Sequence, residues 1–410
     1  MSGVRVVAGA VRRVAVVGAG MAAARFAEQM AGRAPEVEVT LYGAEAHVPY
    51  NRALLAEVLT GRLRPEDVAL PAGNGTRVRT GTRVVGVDVA ARAVRLADGS
   101  GAGYDHLVLA VGAEPVLPRL PGLRTVGGPA EGVHVLRTLD DCGRLAGAAA
   151  SAGRAVVVGG GVLGVSAARA LTALGVTTEL VHEASHLIGR HLDAGASGTL
   201  VRGLTALGIG VHLGARPHAL RGTGRVTGVE LADGRVLDAD LLVLACGVRP
   251  RTGLARRAGL RTAYGVVVDD HLATSAPHIS AIGDCAEHRG VAHGLAGPAW
   301  DQADVLAARL SGAGPEAAYP GSPRLFRLTA GPLEYAAFGE TGDVPGADVV
   351  RLADATRGSY RKLVLRGDRL VGGILLGDLT AVGDLTRAFL DGAHALPGDP
   401  THLLTTEGAA

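Results

Sequence analysis

The feature that most constrains this chain occurs twice. Val14–Val17 is an apolar run, and the chain then reads Gly18-Ala19-Gly20-Met21-Ala22-Ala23 into an alanine-rich helical pattern. A second apolar run from Ala155 enters Gly159-Gly160-Gly161-Val162-Leu163-Gly164, again followed by a helical pattern. Each predicts a buried parallel strand, a tight turn and a helix N-terminus. The first glycine of each loop permits the turn, and the second lets backbone approach a pyrophosphate. A small third residue, Ala23 or Gly164, lets helix and strand pack closely. Unpaired N–H groups and the positive end of the helix dipole then face phosphate charge. In a chain with 62 glycines, one such loop could be an ordinary turn. Two in the same setting, about a domain's length apart, predict two dinucleotide sites on one polypeptide.

The rest of the composition narrows the chemistry. A length of 410 residues suits two or three domains, and 48% apolar with 20% charged residues describes a folded chain. A net charge of +2 implies neither a nucleic-acid nor an anionic-membrane partner. The opening MSGVRVVAGAVRR lacks the apolar core of a secretory signal and no run reads as membrane-spanning, so cytoplasm is the expectation. Cys142, Cys246 and Cys285 are far apart with no CxxC pair, and the 14 histidines are dispersed without a ligand pattern. No metal site and no local dithiol is therefore predicted, and redox chemistry would come from a bound cofactor.

Taken in order, Val37–Tyr42 predicts the second strand of the first unit, after which an acid commonly meets a ribose hydroxyl. Glu45 is the candidate, with an ordinary loop carboxylate as the alternative. Arg52, in a loop entering a short amphipathic segment, could meet phosphate, a partner carboxylate or solvent. Two β-rich runs from Arg77 to Gly99 predict a hairpin-like excursion with a turn at Asp98-Gly99, and Tyr104–Pro115 an apolar strand ended by Gly112. In the second unit Glu183 follows the strand Val176–His182, which favours NADH over NADPH, and Arg190 lies further on. Helices are expected around Leu136–Leu145, over Ser197–Leu207 and over Trp300–Leu310. Ala239–Pro250 repeats the grammar of Tyr104–Pro115, which suggests two related domains. Ile279–Ile282 predicts one more parallel strand with Gly283-Asp284 at its C-terminal edge. There Asp284 could accept from cofactor hydroxyls or cap a helix. Trp300, the only tryptophan, could face a flavin ring or be buried in the core. Beyond a Gly/Pro-rich boundary at Gly312–Pro323, four strand-like runs and a helix over Ala381–Leu390 suggest an α+β domain.

These motifs, in this order, resemble the two-dinucleotide-domain flavoprotein reductases of the pyridine nucleotide-disulfide oxidoreductase superfamily. The matching stretches are the two glycine loops, Ala110-Val111-Gly112, Leu244–Pro250 and Ala281–Glu287. Val48–Gly61, His186–Asp193, Gly283–Ala307 and Arg361–Asp378 are similar to the FAD/NADH-binding portion of the NAD(P)H nitrite reductase large subunit. The chain lacks the cysteine cluster that the iron–sulfur and sirohaem parts of that subunit would need. It also has Glu57 where ferredoxin and rubredoxin reductase-like members often carry Lys, and Val111 in place of a common Thr.

The resemblance implies an α/β fold of two Rossmann-like domains, the second inserted in the first, with a C-terminal α+β domain. The expected boundaries are 1–116 and 246–318 for the FAD domain, 117–245 for the NAD(P)H domain and 319–410 for the last. Candidate FAD residues are Gly18, Gly20, Ala23, Glu45, Arg52, Val84, Gly112, Gly283, Asp284 and Trp300. Trp300 is also the one candidate for a catalytic, flavin-facing side chain. Candidate NADH or NADPH residues are Gly159, Gly161, Gly164, Glu183 and Gly247. The C-terminal domain would close over the flavin or form a homodimer contact. Electrons would pass from NAD(P)H through FAD to a ferredoxin-like redox protein or a small-molecule acceptor. A flavoprotein oxidase or monooxygenase, and a non-catalytic nucleotide-binding flavoprotein, are the alternatives.

Overall fold

The computed structural model of the protein describes residues 12–330, 333–342 and 344–391. The opening residues read above for a leader, 1–11, lie outside them. By compactness the chain divides into two units. The first comprises Met1–Ala53, Pro65–Glu114 and Val248–Ser322; the second comprises Leu54–Arg64, Pro115–Gly247 and Pro323–Ala410. No helix among the described residues is long and apolar enough to cross a membrane.

The first unit is built on a five-stranded parallel sheet in the order Ile279–Ala281, His106–Leu109, Arg13–Val17, Glu38–Tyr42, Arg77–Arg79. Its central strand is buried from Val14 to Val17, which is why it reads as an unbroken apolar run. The helix Met21–Arg33 buries Ala22, Ala23, Ala24, Phe26, Ala27 and Met30. A second helix, Ala296–Leu310, packs along it through an alanine-rich face that buries Ala299, Ala303 and Ala307. Arg25 fastens the pair by donating to both carboxylate oxygens of Asp304 at 2.7 and 3.0 Å.

The second unit repeats the scheme, with a parallel sheet in the order Val133–His134, Leu241–Leu244, Arg154–Val158, Thr177–His182, Gly210–Leu213. Each unit also carries a three-stranded antiparallel insert. In the first it is Val84–Asp88, Ala93–Leu96 and Gly101–Gly103; in the second, Pro217–Arg221, Gly228–Leu231 and Val236–Asp238. The excursion expected over Arg77–Gly99 holds from Val84 onward, with its turn at Asp98-Gly99, but not at its start. Arg77–Arg79 is the edge strand of the parallel sheet, because Gly81 and Thr82 turn the chain away, donating to Glu45 O and Gly43 O at 2.7 and 2.6 Å. The helix expected around Leu136 begins only at Leu139, capped by Thr138.

The C-terminal part is a five-stranded antiparallel sheet, Leu325–Ala330, Leu333–Gly339, Arg369–Leu376, Ser359–Arg366 and Asp348–Asp354 in that order. The helix Val382–Asp391 covers it, with Leu385 in a core that includes Phe338, Leu363 and Leu375. Asp348–Asp354 was not foreseen, since an edge strand with mostly exposed side chains has little alternation to read. The sheet packs on the helix Ala194–Ala206 of its own unit. A Cβ at Gly195 would lie 2.7 Å from the Tyr360 ring, and one at Gly203 2.9 Å from Leu333. Those glycines weaken the helix by about 1 kcal/mol each, and close approach of the sheet is what they permit. Lys362 is completely buried. Its Nζ donates to Asp193 Oδ2 at 3.0 Å and to Thr341 O at 2.9 Å, while Tyr360 OH donates to the same Asp193 oxygen at 2.8 Å. Burying an ammonium without such acceptors costs several kcal/mol.

One half-buried histidine makes the stability of the first unit depend on pH. His106 Nε2 lies 3.0 Å from Ser280 Oγ across neighbouring strands of the sheet. Burial, with smaller contributions from His278 and Arg309, pushes its pKa down to about 4. The unfolded chain therefore takes up this proton first as pH falls below about 6.5, so stability declines from there to about pH 4 and falls no further on this account. Thermal melts across that range are expected to show the decline, and His106→Gln is expected to make it shallower, since burial also lowers the pKa of His134, His182, His191 and His293.

Candidate functional site

Both glycine loops close in the same way. Gly18 holds φ +117° and donates to Tyr42 O at 2.9 Å; Gly159 holds φ +114° and donates to Val181 O at 2.9 Å. A Cβ at Gly18 would lie 2.1 Å from Ala110 O, and a Cβ at Gly159 would lie 2.2 Å from Ala245 O. The echo between Tyr104–Pro115 and Ala239–Pro250 thus has a physical content. In each unit the strand after the insert ends with a carbonyl pressed against the turn, where only glycine fits. Gly164 brings the second helix onto the loop, since its Cβ would fall 1.7 Å from Gly159 O. Ala23 is the fully buried counterpart on the first helix.

The corners beyond the turns are different. Gly20 and Gly161 are helix N-caps with no side-chain cap and no acid in the first turn. A Cβ at Gly161 would meet nothing within 4 Å, and one at Gly20 would meet only Arg52 Nε at 3.9 Å. The helices Leu139–Ala149 and Ala194–Ala206, by contrast, each have one first-turn N–H capped by a side chain, Asp141 N–H by Thr138 and Ala196 N–H by Asp193. Uncapped N–H donors, a positive dipole end and room beside the backbone are what a pyrophosphate requires, so both loops fit a dinucleotide.

The flank of the first loop is a three-residue lock. Tyr50 OH donates to Glu45 Oε2 at 2.6 Å and accepts from Arg52 Nη1 at 2.9 Å, while Arg52 Nη2 donates to Glu45 Oε1. The guanidinium also lies over the Tyr50 ring, 4.8 Å from its centroid. Of the roles open to Arg52, the partner carboxylate is the one the geometry shows. Glu45, expected on a ribose, accepts from Arg52 through Oε1 and from Tyr50 through Oε2, which holds Arg52 beside Gly20. Tyr50, which joins the two, carries no motif of its own and was missed.

The opposite edge of the first site is built by Gly283–Cys285, a single 3-10 turn after the strand Ile279–Ala281. Gly283 holds φ +74°, a Cβ there would meet Ala22 at 2.9 Å, and its N–H donates to Gln302 Oε1 at 2.7 Å. Asp284 is half-buried within this turn, whose N-cap is Ile282, so the helix-cap alternative falls. Gln302, almost fully buried, was also missed: a buried amide aimed at one N–H leaves no trace in sequence. Gly112, at φ +69° two residues beyond Ala110, is also open on its Cβ side. Val84 starts the antiparallel insert and packs half-buried against the core of the unit. One alternative for Trp300 falls. It is 37% exposed and lies with Met21, Ala24, Arg25, Glu28, Leu70 and Pro71 in a surface depression on the first helix. It is therefore not buried in the core, the alternative the sequence left open.

Around the second loop, Glu183 stands exposed after the strand Thr177–His182, and Gly247 holds φ +94° with nothing within 4 Å of its Cβ position. Sequence reasoning missed what presses on Gly160. A Cβ there would lie 2.5 Å from Leu187 and 2.6 Å from His182, and Ile188 N–H donates to Gly160 O at 2.8 Å. Ile188 holds φ +52°, a left-handed conformation that costs a β-branched residue about 1–3 kcal/mol.

Residues 12–303 match the pyridine nucleotide-disulphide oxidoreductase family, and residues 333–392 match the rubredoxin NAD+ reductase C-terminal domain. The chain belongs to the pyridine nucleotide-disulphide oxidoreductase family. It is 35% identical over 373 residues to the nitrite reductase [NAD(P)H] of Bacillus subtilis (strain 168), an alignment that covers 90% of this chain and 46% of that protein. It spans just under half the length of the first curated relatives it matches. Among solved structures, the ferredoxin reductase for the CYP199A2 system from Rhodopseudomonas palustris superposes with a TM-score of 0.83 at 30% identity, covering 93% of this chain and 96% of that one. The reductase–putidaredoxin covalent complex gives 0.83 at 25% identity, with 96% of each chain covered.

The disulphide in the family's name has no counterpart in this member's thiols. Cys285 is buried, its Sγ 3.3 Å from both Leu109 O and Ile282 O, and Cys142 is buried against Leu55 O at 3.6 Å. Burial above all pushes each of Cys142, Cys246 and Cys285 up to about 11. At pH 7 only about one part in ten thousand of each is thiolate. A thiol-reactive chromogenic disulfide at pH 7.5 is expected to label the half-buried Cys246 slowly and the other two only after denaturation. Rapid labelling of Cys142 or Cys285 in the folded protein would contradict this.

Proposed function

We propose that the chain is an FAD-dependent NAD(P)H oxidoreductase that delivers electrons to an external acceptor, a small ferredoxin-like redox protein being the partner favoured. The observation that carries this is the duplicated cradle: two turns closed on a carbonyl, each followed by an uncapped helix start with space beside it. FAD is assigned to the first unit and NADH or NADPH to the second. When bound, the nicotinamide supplies a hydride and the flavin accepts it and passes electrons on singly.

The chain's own residues bind and orient. The helix starts at Gly20 and Gly161 offer N–H donors to the two pyrophosphates. Arg52, locked by Glu45 and Tyr50, adds a fixed positive charge beside the first, and Asp284 offers a carboxylate to hydroxyls of the FAD chain at the sheet edge. Glu183 favours a free 2′-hydroxyl over a 2′-phosphate. The absence of a reactive thiol pair supports an acceptor outside the chain. The names of the relatives, nitrite reductase, ferredoxin reductase and a reductase bound to putidaredoxin, support a protein acceptor. The three separated, free cysteines are in keeping with a cytoplasmic setting.

Gly18→Val is expected to abolish FAD retention, read as loss of visible absorbance from folded protein. Gly161→Val is expected to keep the yellow colour while anaerobic bleaching by NADH or NADPH slows at least about tenfold. Equal loss of fold in both variants would refute separate sites. Efficient consumption of oxygen with no transfer to a ferredoxin would move the assignment to an oxidase. Negligible bleaching of wild type under saturating NADH and NADPH would leave a binding protein only.

A further inference from the structure

The segment His186–Asp193 ties the second glycine loop to the C-terminal sheet. At one end Leu187 packs over Gly160 and Ile188 N–H donates to Gly160 O. At the other, Asp193 caps the helix Ala194–Ala206 by accepting from Ala196 N–H at 2.9 Å. Its second oxygen accepts from Lys362 Nζ and Tyr360 OH of the sheet. Between the ends, His191 and Leu192 N–H both donate to Ile188 O at 2.8 and 3.1 Å, and Leu187 N–H donates to Ser197 Oγ at 2.8 Å. The His191 ring stacks on Phe326 of the sheet with centroids 4.5 Å apart. A residue such as Ile188 keeps a positive φ only where its surroundings impose it. Here the imposing contacts run from the nucleotide loop to a buried ammonium on another sheet.

We propose that Lys362 is a positioning residue for NAD(P)H: by fixing Asp193, the C-terminal sheet holds the strap that shapes the Gly160–Gly161 corner. This rests on the reading of the second loop as the nicotinamide-nucleotide site. It gives the C-terminal sheet a task within its own unit that needs neither a partner chain nor contact with substrate. Asp193 and Tyr360 act in the same chain of contacts.

The test compares Lys362→Met, Asp193→Asn and the double variant as FAD-loaded proteins, with ferricyanide as acceptor. Asn still serves as an N-cap, so the Ala194–Ala206 helix start is kept. Lys362→Met is expected to raise the KM for NADH or NADPH about tenfold more than it lowers kcat, with the flavin spectrum retained. The double variant leaves no buried charge unpaired and is expected to recover most of the melting temperature lost by Lys362→Met, while KM stays raised. A KM that returns to the wild-type value together with the melting temperature would show that the pair serves stability alone. An unaltered KM in folded Lys362→Met would overturn the proposal as well. Should Lys362→Met not fold, the double variant and Tyr360→Phe supply the same comparison. Gly161→Val separates the two levels. If it weakens the nucleotide and the Lys362 variants do not, only the anchor fails; if it too leaves KM unaltered, the site assignment fails with it.

Discussion

Everything about this molecule's binding geometry depends on a backbone carbonyl pressed into a turn that has no side chain. Ala110 O against Gly18 and Ala245 O against Gly159 bring the loop, the following helix and the next strand of the sheet to one point. That convergence places the helix start at the C-terminal edge of a parallel sheet, where open α/β folds bind ligands. The same close approach of the carbonyl oxygen that forbids any larger residue also fixes the direction of the helix-start N–H groups. A side chain at either position therefore disturbs the turn and the helix start together, and no surface residue could compensate for that loss.

The parts of this arrangement made by local sequence were legible; the parts made by long-range polar contacts were not. Strand, turn and helix start at Gly18 and Gly159 follow from residue types over a dozen positions, and the repeat of Tyr104–Pro115 in Ala239–Pro250 revealed the second carbonyl stop. Arg77–Arg79 was misplaced because three residues of β-former carry no information on which sheet they join. The core alternative for Trp300 fell for a similar reason: aromaticity marks a side chain that can bury, but not which face of its helix is covered. Glu45, Tyr50 and Arg52 are close in sequence, yet their mutual bonding depends on a loop path that no pattern encodes. Gln302 and Lys362 lie further still from legibility, since each is a buried polar group whose partners lie far from it in sequence.

Polar burial in this chain is concentrated where elements must hold one relative position. Gln302 secures the Gly283 turn to the helix Ala296–Leu310, and Lys362 secures the C-terminal sheet to Asp193. Arg169, 3% exposed on the helix after the second loop, pairs with Glu57 on the short helix Leu55–Leu59. That pair gives Glu57, where related reductases often carry Lys, a structural partner within the second unit. Each such link is intolerant of losing one member, because the survivor would be left charged or unpaired away from water.

The two sheets differ in where their outermost strand comes from. In the inserted unit Val133–His134 precedes the others, so its parallel sheet is complete once Leu241–Leu244 has been made. The first unit must wait for Ile279–Ala281, which pairs beside His106–Leu109 only after the whole insertion has been synthesised. On the ribosome the inserted sheet can close while the outer one still lacks an edge. The incomplete outer sheet exposes His106–Leu109 during that interval, and an unpaired apolar strand of this kind is a place where newly made chains associate wrongly.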